Sequence, residues 1–378
     1  MSPSRGPGLT YIYLPYVDEQ GTGMQRFGSE MILALLRNGL PSRIILGEVQ
    51  GRPQWLEGVP HEVLIGPRAS RRVPRPLAAV ARLLWLQFLL PLKARRTGTV
   101  LTLADSDLAT FPMFRQVAVV HDLTQARELR QHRSRARNAR IRMWKTALHR
   151  SDRVIAISEA TKRDLVESFG VDPERVEVVY EGFDPAVFYP RKGEPAAPPY
   201  LLYAGTLAPN KNLPFLLRVF CRLRDAGFGV ELQLAGRYTP ERAAEMLGPV
   251  PEQHRAAVRM IGFVSDEELA ERMRGCTAFV FPSLSEGFGL APVEAMACGA
   301  PVVSSEATSL KEVVGEGGVL LSPEDEQAWV DALTRVLGSR EHRLDLSERA
   351  LRRSAVFSWD RAAEAYRGII EGRSARPA

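Results

Sequence analysis

Two carboxylates, Glu286 and Glu294, bracket a glycine-bearing loop in the string Ser283-Leu-Ser-Glu-Gly-Phe-Gly-Leu-Ala-Pro-Val-Glu-Ala-Met-Ala-Cys-Gly-Ala-Pro-Val-Val303. Pro292 suits the first turn of a helix and Gly299 the position just past its end, so the string reads as strand end, loop, helix, stop and next strand. Gly287 and Gly289 permit positive φ and a close ligand approach. The amides of Gly287, Phe288, Gly289 and Leu290 would then project from a helix N-terminus, where orphan N–H groups and the helix dipole favour an anion. Carboxylates repel phosphate, so beside such a site they make sense facing hydroxyls, those of a sugar ring and of a ribose. A phosphorylated sugar joined to a nucleoside has these parts in that order. The plainer alternative makes Glu294 a dipole-matched first-turn acid and Glu286 a solvated loop acid. Two further positions could do chemistry. Lys211, in Gly205-Thr-Leu-Ala-Pro-Asn-Lys-Asn212, stands just before a helical pattern, where a cation can neutralise phosphate; the alternative is an exposed surface lysine. His121 follows a strand at 117–120, and ligands of open α/β sheets bind outside the carboxyl ends of strands, although a lone histidine is more often structural.

Strands and helices must alternate to hold these residues. Residues 9–15 form an apolar strand, followed by Gly21-Thr-Gly-Met-Gln-Arg-Phe27 and a helical pattern through Leu40. That is the opening of a Rossmann-like unit without the dinucleotide fingerprint, since Arg26 stands where the third glycine would fall. Strands follow at 43–46, 117–120, 153–157 and 176–180, with Ser158 capping a helix that runs to Phe169. Residues 191–199 are rich in Pro and Gly without periodicity and read as a linker. A second series of strands then begins, at 200–204, 231–235 and 278–282. The domains expected are 1–190 and 198–356, with a final amphipathic helix over 357–372 and a disordered tail at 372–378.

At 378 residues the chain is comfortable for two domains, each with its own core. Hydrophobic content of 45% and charged content of 25% are ordinary for a globular protein. The formal charge of +6 and pI near 9.4 point to an anionic partner: phosphates, nucleic acid or a negatively charged membrane face. Cys221, Cys276 and Cys298 lack metal-ligand spacing and read as buried thiols in a reducing compartment. The N-terminus lacks a signal peptide's apolar core, and the longest apolar run, 83–92, is too short to span a bilayer. The expectation is therefore a cytoplasmic protein.

Residues 76–93 are apolar nearly all round; a helix buried between sheet and neighbours is the preferred reading over one dipping into a membrane interface. Arg68, Arg71, Arg72 and Arg75 precede it. Residues 127–153 carry Arg127, Arg130, Arg133, Arg135, Arg137, Arg140, Arg142, Lys145, Arg150 and Arg153 against Glu128 and Asp152. Such a run is either a solvated helix face or a patch for anionic headgroups or the diphosphate of a lipid-linked acceptor.

The spacing from Glu286 to Glu294, together with the following Ala-Met-Ala-Cys-Gly-Ala-Pro-Val, resembles the E-x7-E signature of the retaining glycosyltransferases of family 4. The string Asp152-Arg-Val-Ile-Ala-Ile-Ser-Glu-Ala-Thr-Lys-Arg-Asp-Leu165 is similar to the same family. The resemblance implies an α/β protein of the GT-B class: two Rossmann-like domains whose parallel sheets face a central cleft, with a C-terminal helix crossing back to the first. It implies a nucleotide-diphosphate sugar as donor substrate. The sequence has no His/Cys/Glu ligand cluster, so no cofactor and no essential metal is implied. The site implied by the resemblance has Glu286 on the sugar hydroxyls, Glu294 on the ribose, Lys211 on the phosphates and His121 on the sugar. Gly23, Gly205, Thr206, Arg237 and the loop amides at 287–290 would contact the donor, and Phe263 and Val264 the nucleobase. Two departures stand out. Asn210 occupies a position that is commonly arginine, and Glu181 replaces the asparagine of an Asn-Gly-x-Asp loop.

The wording around the motif looks most like bacterial mannosyltransferases of polysaccharide assembly. GDP-mannose is then the expected donor, with UDP-glucose or another UDP-sugar as the alternative. The acceptor would be a glycan or polyprenyl-diphosphate-linked glycan, with peripheral contact to an anionic membrane. A nucleotide-sugar epimerase of the same architecture is a rival enzyme class. A nucleic-acid-binding protein is prompted by the high pI, but the basic residues lack interleaved aromatics and no recognised module appears.

Overall fold

A computed structural model describes residues 9–16, 23–48, 53–57, 63–65, 81, 83–94, 98–104, 107–123, 135–190 and 198–373. Arg68, Arg71, Arg72, Arg75, Arg127, Arg130 and Arg133, most of the 191–199 linker and nearly all of the 372–378 tail lie outside these residues. The chain divides into two units, one comprising residues 1–181 and 359–378 and the other residues 182–358.

In the first unit β1 (Thr10–Tyr16) leads to α1 (Gly23–Arg37), β2 (Ser42–Glu48) and β3 (Val63–Ile65). A π-helical stretch, Trp85–Leu89, runs into α2 (Leu90–Ala94). Then come β4 (Thr99–Thr102), β5 (Arg115–Val120), α3 (Arg135–His149), β6 (Arg153–Ala156), α4 (Glu159–Phe169) and β7 (Val176–Val178). The seven strands pair in parallel in the order β3-β2-β1-β4-β5-β6-β7. Strands β4 and β5 are buried almost throughout, as expected of a parallel sheet with both faces covered. The cap at Ser158 forms: its hydroxyl accepts from the Thr161 amide at 3.0 Å, and Gly170 ends the helix at φ 69°.

The second unit runs β8 (Tyr200–Ala204), α5 (Leu213–Asp225), β9 (Glu231–Ala235), α6 (Pro240–Leu247), α7 (Glu252–Arg255), β10 (Val258–Gly262), α8 (Asp266–Gly275) and β11 (Ala278–Phe281). It continues with α9 (Leu290–Ala297), β12 (Val302–Ser305), α10 (Leu310–Val314), β13 (Val319–Leu321), α11 (Glu326–Gly338) and α12 (Arg340–Ser354). Its six parallel strands lie in the order β10-β9-β8-β11-β12-β13, the doubly wound pattern whose order reverses between β8 and β11. Residues preceding β8 belong here too: Arg274 donates to the carbonyl of Val187 at 3.0 Å.

The helix α13 (Trp359–Ile370) returns to the first unit. Trp359 meets the Phe27 ring of α1 at 5.8 Å, and Arg367 donates to the Asn38 carbonyl at 2.7 Å. From β5, Arg115 donates to the carbonyl of Ile369 at 2.9 Å, holding a helix C-terminus by a cation.

One expectation fails in part. Residues 76–80 and 82 of the 76–93 segment lie outside the described residues, and the described remainder is not simply buried. Trp85, Leu86 and Leu90 pack with Tyr11, Tyr13 and Val100, but Leu83, Leu84, Phe88, Leu89 and Leu92 are exposed. Apolar residues all round the segment outnumber the places that one sheet face offers them.

Candidate functional site

The reversal of strand order in the second sheet opens a crevice beyond the carboxyl ends of β8 and β11, and Lys211 and Glu286 stand on the loops leaving those two strands. The Lys211 ammonium donates to both oxygens of the Glu286 carboxylate, at 2.6 and 2.8 Å. Both side chains are mostly buried, so the attraction is less screened than on an open surface. The ammonium also lies 5.7 Å from the centre of the Phe281 ring. Neither residue is therefore the solvated charge of the plainer reading.

The loops around the pair are tied down from both sides. Asn210 stitches them together: its side-chain amide donates to the Ser285 carbonyl at 3.1 Å, and its own carbonyl accepts from the Leu284 amide at 2.7 Å. Thr308 holds Glu286 by the backbone. Its hydroxyl accepts from the Glu286 amide and donates to the Glu286 carbonyl, both at 2.9 Å. The Ser309 hydroxyl lies within hydrogen-bond reach of the carbonyls of both Glu286 and Phe288, at 3.0 and 2.9 Å, its single proton shared between them. Two non-glycine residues among those described take positive φ, Asn212 at 56° and Thr308 at 48°. One follows Lys211 directly and the other clamps Glu286. For β-branched Thr this conformation costs about 1–2 kcal/mol, and such strain gathers where function over-determines the backbone.

The helix α9 begins as the sequence suggests but one residue group shifts. Gly289 precedes it at φ 110°, where a Cβ would stand 2.8 Å from a Leu310 methyl. Gly287 and Leu290 are half-buried and Phe288 is buried, its ring meeting Phe357 edge-on at 5.6 Å. Glu294 falls in the second turn rather than the first, because the helix starts at Leu290. Its side chain is buried rather than dipole-facing at the surface. Burial first, then a balance of Arg274 against Glu294 and Glu271, pushes the Cys298 thiol up to about 12.

The glycines after the strands interlock. Gly205 donates its amide to the Ala235 carbonyl at 2.9 Å, and Gly236 to that of Gly262 at 2.8 Å. A Cβ at Gly236 would lie 1.8 Å from the Gly205 carbonyl oxygen, so no other residue fits without moving backbone. Thr206 is held by its carbonyl, which accepts from the Tyr203 hydroxyl at 2.9 Å. Burial, with the Glu286 carboxylate nearby, holds the Tyr203 phenol well above its ordinary value, so it remains a neutral donor. Beyond β10, Phe263 is exposed and Val264 half-buried; the Arg237 guanidinium lies over the Phe263 ring, 4.3 Å from its centre. Gly236, Thr308, Ser309 and Tyr203 were not among the residues singled out from the sequence.

In the first unit, Gly23 is the exposed first residue of α1, and Gly21 lies outside the described residues. His121 is buried just past β5. Its Nε2 lies 3.0 Å from the Leu103 carbonyl, which can only accept, so Nε2 carries the proton. Its Nδ1 faces Glu181 at 3.5 Å, an ion pair whenever the ring is protonated, and Phe27 abuts the ring edge-on at 4.4 Å. Glu181, the departure noted in its loop, thus has a defined place beside His121. Burial, with Glu181 nearby, also holds the Tyr366 phenol of α13 well above its ordinary value. Among the described residues no group of three His, Cys, Asp or Glu side chains is placed to hold a metal ion.

Residues 21–187 match the family described as Glycosyltransferase Family 4, and residues 198–339 that described as Glycosyl transferases group 1. The chain is 34% identical over 281 residues to an MMP alpha-(1->4)-mannosyltransferase of Mycolicibacterium hassiacum, covering 71% of this chain and 67% of the relative. It is 32% identical over 256 residues to a D-inositol 3-phosphate glycosyltransferase of Nocardioides, covering 60% of this chain and 54% of the relative. Anabaena HepE, solved in complex with UDP-glucose, shares the fold with a TM-score of 0.75 at 17% identity, covering 97% of this chain and 100% of that one. Paired sheets of this topology and matches along both units carry the same conclusion: the chain belongs to the family 4, group 1 glycosyltransferases and has the GT-B fold.

Proposed function

We propose that the chain transfers a hexose, with GDP-mannose as the first choice of donor, to a glycan or lipid-linked glycan of cell-surface polysaccharide synthesis, retaining the configuration at the anomeric carbon. The observation that carries this reading is the Lys211–Glu286 pair at the point where the second sheet reverses its strand order, beside the amides that open α9. An ammonium has three donors, so Lys211 can keep one on Glu286 while offering others to phosphate oxygens. Glu286 then accepts from sugar hydroxyls, and Glu294 from the ribose. As the bond from C1 to the diphosphate breaks, charge grows on the leaving oxygen and is met by α9 amides and Lys211, fixed before the reaction begins. The acceptor oxygen bonds C1 from the same face, and its proton passes to the departing phosphate. The Arg237–Phe263 pair and Val264 are read as the nucleobase platform, and Gly205, Thr206 and the loop at 287–290 as the diphosphate cradle. In the first unit, His121 and Gly23 are read as donor-facing.

Support for mannose comes from the name of the Mycolicibacterium relative; the solved HepE complex favours UDP-glucose or another UDP-sugar as the second reading. A thermal-shift screen over GDP-mannose, UDP-glucose and the free nucleotides separates them, because a ligand of the folded state raises apparent stability by mass action. Stabilisation by GDP-mannose alone supports the first reading, and by UDP-sugars alone the second. No shift with any nucleotide sugar sinks both. Conversion of donor without an acceptor, seen in a product assay, would make the chain an epimerase instead.

A further inference from the structure

The five exposed apolar side chains of the segment leading through α2, namely Leu83, Leu84, Phe88, Leu89 and Leu92, are 42–61% exposed and follow one another along a single short helix. The only polar side chain among them, Gln87, is turned to the protein. Its amide donates to the Leu108 carbonyl at 3.3 Å and accepts from the Thr110 amide at 2.7 Å. This clamps beside the helix a loop that carries two more exposed apolar residues, Phe111 and Met113. Arg150 closes the other side of that loop, donating to the Thr110 carbonyl at 3.0 Å with its guanidinium 4.4 Å above the Phe111 ring.

Arg150 directly follows α3, which carries Arg135, Arg137, Arg140, Arg142 and Lys145 and no acid. Strand register puts α2 and α3 on the same side of the first sheet. Tyr11, Tyr13 and Val100 pack under α2, Ala118 and Val120 pack under α3, and the pairings Tyr13↔Thr102 and Thr102↔Ala118 place both sets on one face. A hydrophobic ridge and a strongly basic helix therefore share one side of the unit. Exposed apolar surface of this extent marks a partner, and adjoining cations say which kind. A second copy docked on the same face would bring identical cations together, so self-association is disfavoured.

We propose that this side of the first unit docks on an anionic lipid bilayer, with the α2 ridge entering the headgroup–acyl boundary and the α3 cations meeting lipid phosphates. The segment lies on the surface; among the described residues no helix is long and apolar enough to cross a membrane. The proposal does not depend on which sugar is transferred.

Flotation of the full chain with vesicles tests it, comparing phosphatidylcholine alone with phosphatidylcholine containing phosphatidylglycerol. Binding should require the anionic lipid. The triple variant Phe88→Ser, Leu89→Ser, Leu92→Ser should lose affinity by roughly ten-fold or more, since each serine removes buried apolar carbon at the interface. Arg142→Glu, at an exposed position on α3, should weaken binding and flatten its salt dependence. Both variants should keep the wild-type circular dichroism and nucleotide-sugar thermal shift, which separates loss of docking from a failure of the donor reading. Wild-type chain that ignores anionic vesicles, or a triple variant that binds them as wild type does, overturns the proposal. So does a wild-type dimer that the triple variant converts to monomer, which would make the ridge an interface between copies.

Discussion

Lysine 211 and glutamate 286 neutralise each other across 75 residues of sequence, and this makes each one's removal informative. Deleting one partner of a largely buried pair leaves the other charge stranded, at a cost of about 3–5 kcal/mol where burial is complete and less here, where both side chains keep some solvent. Glu286→Ala is expected to abolish most turnover with the fold intact, as read by product formation beside circular dichroism; Glu294→Ala should chiefly raise the donor KM. Wild-type kinetics in both would remove them from the site. Thr308→Gly is a subtler probe. It releases about 1–2 kcal/mol of positive-φ strain while losing two hydrogen bonds worth about 1 kcal/mol each, so stability should change by no more than about 1 kcal/mol. Turnover should nonetheless fall about ten-fold, because Glu286 loses its backbone clamp, and the split between unchanged melting and lowered kcat is the readout. Glu286, Glu294 and Lys211 were legible from residue types and spacing, but the Thr308 clamp was not. Threonine is β-branched and rarely adopts positive φ, so no sequence rule selects Thr308, whereas Asn212 is of a type that tolerates it. The pairing of Glu181 with His121 was equally hidden, since it joins a strand end to a loop that are distant in sequence.

Elements were easier to read than their partners. The bounds of β8 and β9 agree with the apolar runs that announce them, and the Ser158 cap and Gly170 stop of α4 follow from local chemistry. Local chemistry is what sequence carries directly: a cap acts over three residues and a strand over five. The segment before α2 was misjudged because periodicity reports how apolar a helix is, not how much protein waits to cover it. Interlocking of the strand-end loops was also invisible, because it rests on Gly236, which no motif marked. It makes a sharp prediction. Gly236→Ala forces a Cβ against the Gly205 carbonyl and should cost about 2–3 kcal/mol, lowering the melting temperature and weakening the nucleotide-sugar shift together. Gly227→Ala, with positive φ but open space around it, should cost only about 1 kcal/mol and leave the ligand shift alone.

At the scale of the molecule, the first unit is discontinuous and the second is not. The helix α13 buries Trp359, Tyr366, Ile369 and Ile370 in the first unit, and burial of each large apolar side chain contributes about 1.5–3 kcal/mol. A chain ending at Ser358 should therefore lose the cooperative melting of residues 1–181 while the second unit still folds and resists protease; two separable transitions in calorimetry would show it. A truncated chain melting like the full one would contradict the assignment of α13. The thiols offer a fold-wide check. Cys276 and Cys298 are buried and held well above the ordinary thiol value, so alkylation of the native chain should be confined to half-buried Cys221 until denaturant is added.

The return of α13 also bears on how the protein is born. A ribosome delivers residues 1–181 first, yet the helix that completes their core emerges only after the whole of the intervening unit. The contiguous part can close as soon as it is clear of the exit tunnel, while the earlier part waits with apolar surface uncovered. Assembly then runs opposite to synthesis, and the nascent first unit is where chaperone dependence should concentrate.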